Sequence, residues 1–251
     1  MLSQIKRFLL AGAMNCFAIL LVVLLCSACA GGGATSATAV KHVATAQPTR
    51  PLLSFTGPIT YVALGASDAV GVGSNQPGSQ GYVPLLAERL PKGSHLVNLG
   101  ISGIHLHQAL QQELPIALTT SPNLITIWLV ANDFVADVTY DDYMHDLDTL
   151  LQQLHTGTHA PLVMANLPDL TRLPAFANLI SAQKAQMLAQ IQQWNAGIAA
   201  RAAQYGVTMV DLFSHQSQLT AHPEYVSIDG FHPSALGYVQ LANIFWQAIH
   251  G

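Results

Sequence analysis

Short apolar runs alternate along this chain with longer stretches whose apolar residues recur at helical spacing. Ile59 to Leu64 is apolar and β-branched and stops at Gly65, which predicts a buried strand. Leu96 to Leu99, Leu124 to Leu129, Pro161 to Ala165 and Val207 to Val210 predict four more strands. The strand from Leu124 to Leu129 is apolar except for Thr126, as expected of a strand covered on both faces. Between them, helical periodicity runs over Tyr82 to Leu90, about His107 to Leu114, Tyr140 to His155 and Ile180 to Tyr205. Pro115 is expected to end the second helix, and Gly206 the fourth. A last helix runs from Pro233, at its first turn, to Ile249. Strands separated by helices imply a parallel sheet with helices on both faces: one α/β/α sandwich of about five parallel strands.

Composition narrows the setting. Of 251 residues, 51% are apolar and only 9% charged, enough for a sizeable core. The formal net charge is -4 and no basic block occurs, which argues against nucleic acid as a partner. All three cysteines, Cys16, Cys26 and Cys29, fall in the first thirty positions, so the globular part has no thiol for nucleophilic or zinc chemistry.

Those first thirty positions read as an export signal. Lys6 and Arg7 precede an apolar stretch from Phe8 to Leu25, followed by small residues. Ser27-Ala28-Cys29 resembles a bacterial lipoprotein box with Cys29 as the lipidated first mature residue, whereas Ala28-Cys29-Ala30 fits ordinary A-x-A cleavage. Uncleaved anchoring is a third reading, because the run approaches bilayer-spanning length. The Gly-, Ser-, Thr-, Ala- and Pro-rich segment 31–58 reads as a flexible linker, and 59–251 as the domain. The expectation is an extracytoplasmic protein, secreted or held to a membrane by a lipid anchor, with a leader of bacterial type.

In parallel α/β sheets, sites form outside the carboxyl ends of the strands. Ser67 follows the first strand, Gly103 the second and Asn132 the third, while Asp229 and His232 lie in the loop after the fifth. A serine hydroxyl needs an adjacent base to become a nucleophile, and His232 has the imidazole for it. Asp229, three residues earlier, would take the other ring N–H and fix the tautomer. The backbone N–H groups of Ser67 and Gly103 and the side-chain amide of Asn132 would form an oxyanion hole. Val130, Phe134, Val135, Leu167 and Leu170, near the ends of the third and fourth strands, are candidates for an acyl pocket. The glycines from Gly65 to Gly73 lack the Lys-Ser/Thr of a phosphate-binding loop and the G-x-G-x-x-G spacing. His105 and His107 are two residues apart at a helix start and read as helix-end histidines; no metal or organic cofactor is expected.

Tyr61-Val-Ala-Leu-Gly-Ala-Ser-Asp-Ala-Val-Gly71, Asn98-Leu-Gly-Ile-Ser-Gly103, Ala131-Asn132-Asp133 and Asp229-Gly-Phe-His-Pro233 together resemble the motif blocks of the SGNH, or GDSL-like, hydrolases. The resemblance extends from Ile59 to Ile249 and implies a flavodoxin-like fold and hydrolysis of esters: small molecules, lipids or acetylated glycans. Two positions depart from the family pattern. Ala66 replaces the Asp before the nucleophile, and Val130 replaces the Gly of Gly-x-Asn-Asp. Neither removes a catalytic group. A carbohydrate O-deacetylase, and a non-catalytic binding module that retains the fold, stand as alternatives. The sequence leaves the oligomeric state unknown.

Overall fold

The computed structural model describes residues 53–250. The segments expected to be an export signal, with Cys29, and most of the expected linker lie outside the described residues. The sheet is built from β1 (Thr60–Gly65), β2 (His95–Asn98), β3 (Leu124–Trp128), β4 (Leu162–Ala165) and β5 (Thr208–Val210). All five strands are parallel, in the order β2-β1-β3-β4-β5. The sandwich read from the apolar pattern is the fold observed. β1 and β3 are buried on both faces, which is why their sequences are continuous apolar runs rather than alternating ones. The hydroxyl of Thr126, the polar exception, is 2.8 Å from that of Tyr61 on the neighbouring strand.

In chain order the helices are α1 (Ser67–Val70), α2 (Pro77–Gln80), α3 (Tyr82–Ala87), α4 (Leu106–Gln112), α5 (Leu114–Thr119), α6 (Ala131–Val135), α7 (Tyr140–Gly157), α8 (Ser181–Gln204), α9 (Gln216–Ala221) and α10 (Ala235–His250). Helices α3 and α10 pack together on one face of the sheet, and α4, α5, α7 and α8 associate on the other. On the first face Tyr82 stacks on Phe245 at 4.8 Å between ring centroids and meets Trp128 edge-on at 5.9 Å. On the second, Trp194 of α8 stacks on Tyr143 of α7 at 4.6 Å.

Two expectations from the sequence change here. Pro115 does not end a helix; the chain breaks at Glu113 and starts again as α5, with Pro115 in its first turn, where the missing N–H has no partner to lose. Contacts of the domain also begin before Ile59. The Leu53 N–H donates to the carbonyl of Ile249 at 3.1 Å, and Phe55 packs edge-on against His250.

Candidate active site

β1 ends at Gly65, where a Cβ would collide with Ala69, 2.6 Å away. That close approach lets the chain turn directly into α1, whose first residue is Ser67. The Ser67 Oγ lies 2.9 Å from His232 Nε2, and His232 Nδ1 lies 2.6 Å from Asp229 Oδ2. Burial alone would raise the Asp229 carboxyl. It is instead held well below the usual carboxylate range by hydrogen bonds from the His232 ring, the N–H groups of Phe231 and His232, and the Ser227 hydroxyl. An ionised carboxylate only accepts, so His232 Nδ1 carries the proton and Nε2 is left to accept from the Ser67 hydroxyl. Serine, imidazole and carboxylate thus form one directed chain.

The loop that carries Asp229 and His232 is closed on itself. The Ser227 N–H donates to the His232 carbonyl at 2.8 Å, and Val226 pairs with Pro233 in an antiparallel bridge. From below, the Tyr238 hydroxyl of α10 donates to the Val72 carbonyl at 2.6 Å. Gly73 sits under the loop at φ +100, and a Cβ there would lie 2.9 Å from that of His232. Only glycine combines that dihedral with that contact.

After β3, the amide of Asn132 in α6 donates one hydrogen to the Ile104 carbonyl at 2.8 Å and keeps the other. Gly103 has φ +80, a left-handed conformation, with open space around its Cα. Among the described residues, no acceptor takes the N–H of Ser67 or of Gly103. Val130 has φ -140, so this position does not need the freedom of the glycine it replaces. Of the five acyl-pocket candidates, only Leu170 lines the apolar cavity beside His232. Phe134 is turned into the core, edge-on to Trp194 at 5.3 Å. Leu167 is fully buried, with its backbone N–H and carbonyl both bonded to the Asn195 side chain. Val130 is buried, and Val135 is half-buried; neither lines the cavity.

Several polar residues behind the site escaped the sequence reading. Both carboxylate oxygens of Asp133 accept the Leu106 N–H, at 3.1 and 3.2 Å, which fastens α6 to the start of α4. Asn98 donates to the Ala69 carbonyl at 2.7 Å and accepts the Gly100 N–H at 3.1 Å, joining α1 to the Gly103 loop. Glu113 is fully buried and accepts the Gly65 N–H at 3.1 Å, just ahead of Ser67. A pattern signal for it existed: Leu106, Ala109 and Glu113 share one helical face, and the first two are buried. His107 pairs with Asp146 at 3.2 Å, and His105 lies 3.7 Å from Asp133. Among the described residues no cluster of three or more His, Cys, Asp or Glu is placed to hold a metal.

Burial lifts Glu113 to about 8, with the Gly65 N–H pulling the other way. Burial likewise lifts Asp68 and Asp133 to about 6. A carboxyl raised on folding stabilises the fold fully below its ordinary value, and that contribution fades as pH rises through the raised one. The unfolding midpoint of the wild type is therefore expected to fall between about pH 6 and 9. Glu113→Gln keeps the acceptor for the Gly65 N–H and removes the titration. Its midpoint should change less over that range in thermal melts, and an unaltered slope would refute the assignment to Glu113.

Comparison with known proteins agrees with this geometry. The chain belongs to the GDSL-like lipase/acylhydrolase family, whose model matches residues 63–240. It is accordingly a hydrolase of carboxylic esters. No match is found among curated proteins. Among solved structures, it is similar to a GDSL-like lipase from Parabacteroides merdae at 21% identity, TM-score 0.66, covering 79% of this chain and 99% of that one. An extracellular lipase from Streptomyces rimosus matches at 19% identity and TM-score 0.62, covering 76% and 99%. An acetylxylan esterase from Geobacillus stearothermophilus matches at 18% identity and TM-score 0.60, covering 77% and 95%. At these identities the structures speak for the fold alone.

Proposed function

We propose that this chain is a serine esterase that works through an acyl-enzyme at Ser67, outside the cytoplasm and anchored by lipid at Cys29. The observation that carries the mechanism is the continuous Ser67–His232–Asp229 chain at 2.9 and 2.6 Å. As the Ser67 oxygen attacks the ester carbonyl, its proton moves to His232 Nε2, and Asp229 stabilises the imidazolium. The negative charge passes to the carbonyl oxygen, facing the N–H groups of Ser67 and Gly103 and the free amide hydrogen of Asn132. When the tetrahedral adduct collapses, the alcohol leaves with the proton from His232 and the acyl group stays on Ser67. Water, deprotonated by His232, then releases the acid and restores the serine.

The location rests on sequence: Lys6 and Arg7, the apolar stretch, and Ser27-Ala28-Cys29 ahead of a Gly-rich spacer. Radiolabelled palmitate incorporated into the wild type and absent from Cys29→Ser tests the anchor; equal labelling of both refutes it. For the site, a fluorophosphonate should label the wild type covalently and spare Ser67→Ala. Labelling of a folded wild type that does not occur, or that persists in the variant, would overturn the reading. In Asn132→Ala one donor to the oxyanion is gone, and kcat on p-nitrophenyl acetate should fall about 10²- to 10³-fold. Unchanged kcat would exclude Asn132 from the oxyanion hole.

A further inference from the structure

Glu113 lies fully buried at the point where helix α4 breaks and α5 begins. One carboxyl oxygen, Oε2, accepts the Gly65 N–H at 3.1 Å. Among the described residues no group bonds the other oxygen, Oε1, although it is buried as well. Such a side chain is a poor way to hold a core together. An apolar one of similar size would cover the same surface without stranding a polar atom. What the carboxyl supplies instead is an acceptor at one particular place. The register of β1 with β2 ends at Ala63 and Asn98, so β2 offers the Gly65 N–H no partner. On its other side, the Gly65 carbonyl accepts the Ile101 N–H at 3.1 Å, two residues before Gly103. Ser67 follows two residues after Gly65.

We propose that Glu113 is a positioning residue for Ser67: it pins Gly65, and through Gly65 sets the Ser67 hydroxyl and the N–H groups of Ser67 and Gly103 relative to one another. The proposal rests on the esterase reading above and adds to it a residue that touches no reacting atom. Gly65 is the junction of the sheet, the turn into α1 and the loop that carries Gly103. Glutamate fixes it at the N–H, Ile101 at the carbonyl, and Ala69 closes on the hydrogen that stands in place of a side chain. A glycine has no side chain for the core to grip, so its place is set by these backbone contacts. Without the acceptor, the Gly65 N–H is left buried and unbonded, and the turn gains room to shift. A displacement of about 1 Å at the reacting groups is enough to cost about 10²-fold. Burial keeps Glu113 mostly protonated at pH 7. The acceptor is then a neutral carboxyl, which a glutamine amide reproduces in shape and charge.

The test uses the full chain at pH 7. Glu113→Leu and Glu113→Met keep the bulk and remove the acceptor, whereas Glu113→Gln keeps both. The rate of fluorophosphonate labelling at Ser67, and kcat/KM for p-nitrophenyl acetate, should fall together by at least tenfold in the two apolar variants. In Glu113→Gln both should stay within threefold of wild type. Thermal melts separate positioning from packing. The apolar variants exchange one unbonded buried atom, Oε1, for another, the Gly65 N–H, so their melting temperatures should stay within about 5 °C of wild type. If one of them does not fold, the other carries the comparison. Wild-type rates in the folded apolar variants, a rate loss that Glu113→Gln shares, or losses that track falling melting temperatures would overturn the proposal. A wild type that neither labels nor hydrolyses an ester would sink the esterase reading, and the positioning role with it. A wild type that labels no faster than Glu113→Leu would sink the positioning role alone.

Discussion

Ser67→Ala is expected to lose ester hydrolysis by about 10⁴-fold or more in kcat while remaining folded. The methyl group fits where the hydroxymethyl stood, and the structural loss is one hydrogen bond, to His232 at 2.9 Å. Such a bond contributes about 1 kcal/mol to stability, a small shift in melting temperature. The chemical loss is of another order, because no other hydroxyl among the described residues is bonded to His232 Nε2. Hydrolysis of p-nitrophenyl acetate with circular dichroism alongside separates the two effects. Activity within tenfold of wild type would mean that water, activated directly by His232, does the chemistry.

The second large effect is expected from a residue that touches no substrate. Gly73→Ala should lower kcat/KM by about 10²-fold and reduce the melting temperature as well. The left-handed dihedral alone costs an alanine about 1–2 kcal/mol. The added methyl would also press on the Pro233 carbonyl and on the His232 and Ser227 side chains. Relief requires the loop to move, and a shift of about 1 Å between imidazole and serine is enough to misalign proton transfer. Steady-state kinetics and thermal melts on the same preparation check both halves. A destabilised variant with full activity would show that the loop can yield without carrying His232 along.

The contrast between Ser67 and Gly73 also explains how much could be seen in the sequence. The five strands were legible because burial on both faces leaves continuous apolar runs, and the site followed from the rule that it gathers at their carboxyl ends. Asp229 and His232 were legible as a pair because three residues and one tight loop place both. What escaped depends on contacts between distant segments. Glu113 reaches Gly65 across 48 positions, Asp133 reaches Leu106 across 27, and Asn98 reaches Ala69 across 29. Asp133 and Asn98 leave no local spacing to find, and Glu113 leaves only the helical face it shares with Leu106 and Ala109. Phe134 and Leu167 were assigned to a pocket because they follow strands near the site. Which way they turn was decided elsewhere, by Trp194 and Asn195 on α8. The segment from Leu53 to Pro58 looked like linker because single hydrogen bonds and ring contacts to α10, not periodicity, hold it.

The ties from Asp133 to Leu106, and from Asn132 to Ile104, have a kinetic meaning. They set the spacing of two loops before any ester arrives, so the conformational entropy of aligning the proposed oxyanion donors is lost once, as the chain folds, and not again at each turnover. Removing such a brace would therefore show in the activation entropy: the rate would fall by the same factor at every temperature where the fold itself is still intact, lowering the intercept of an Eyring plot and leaving its slope unchanged.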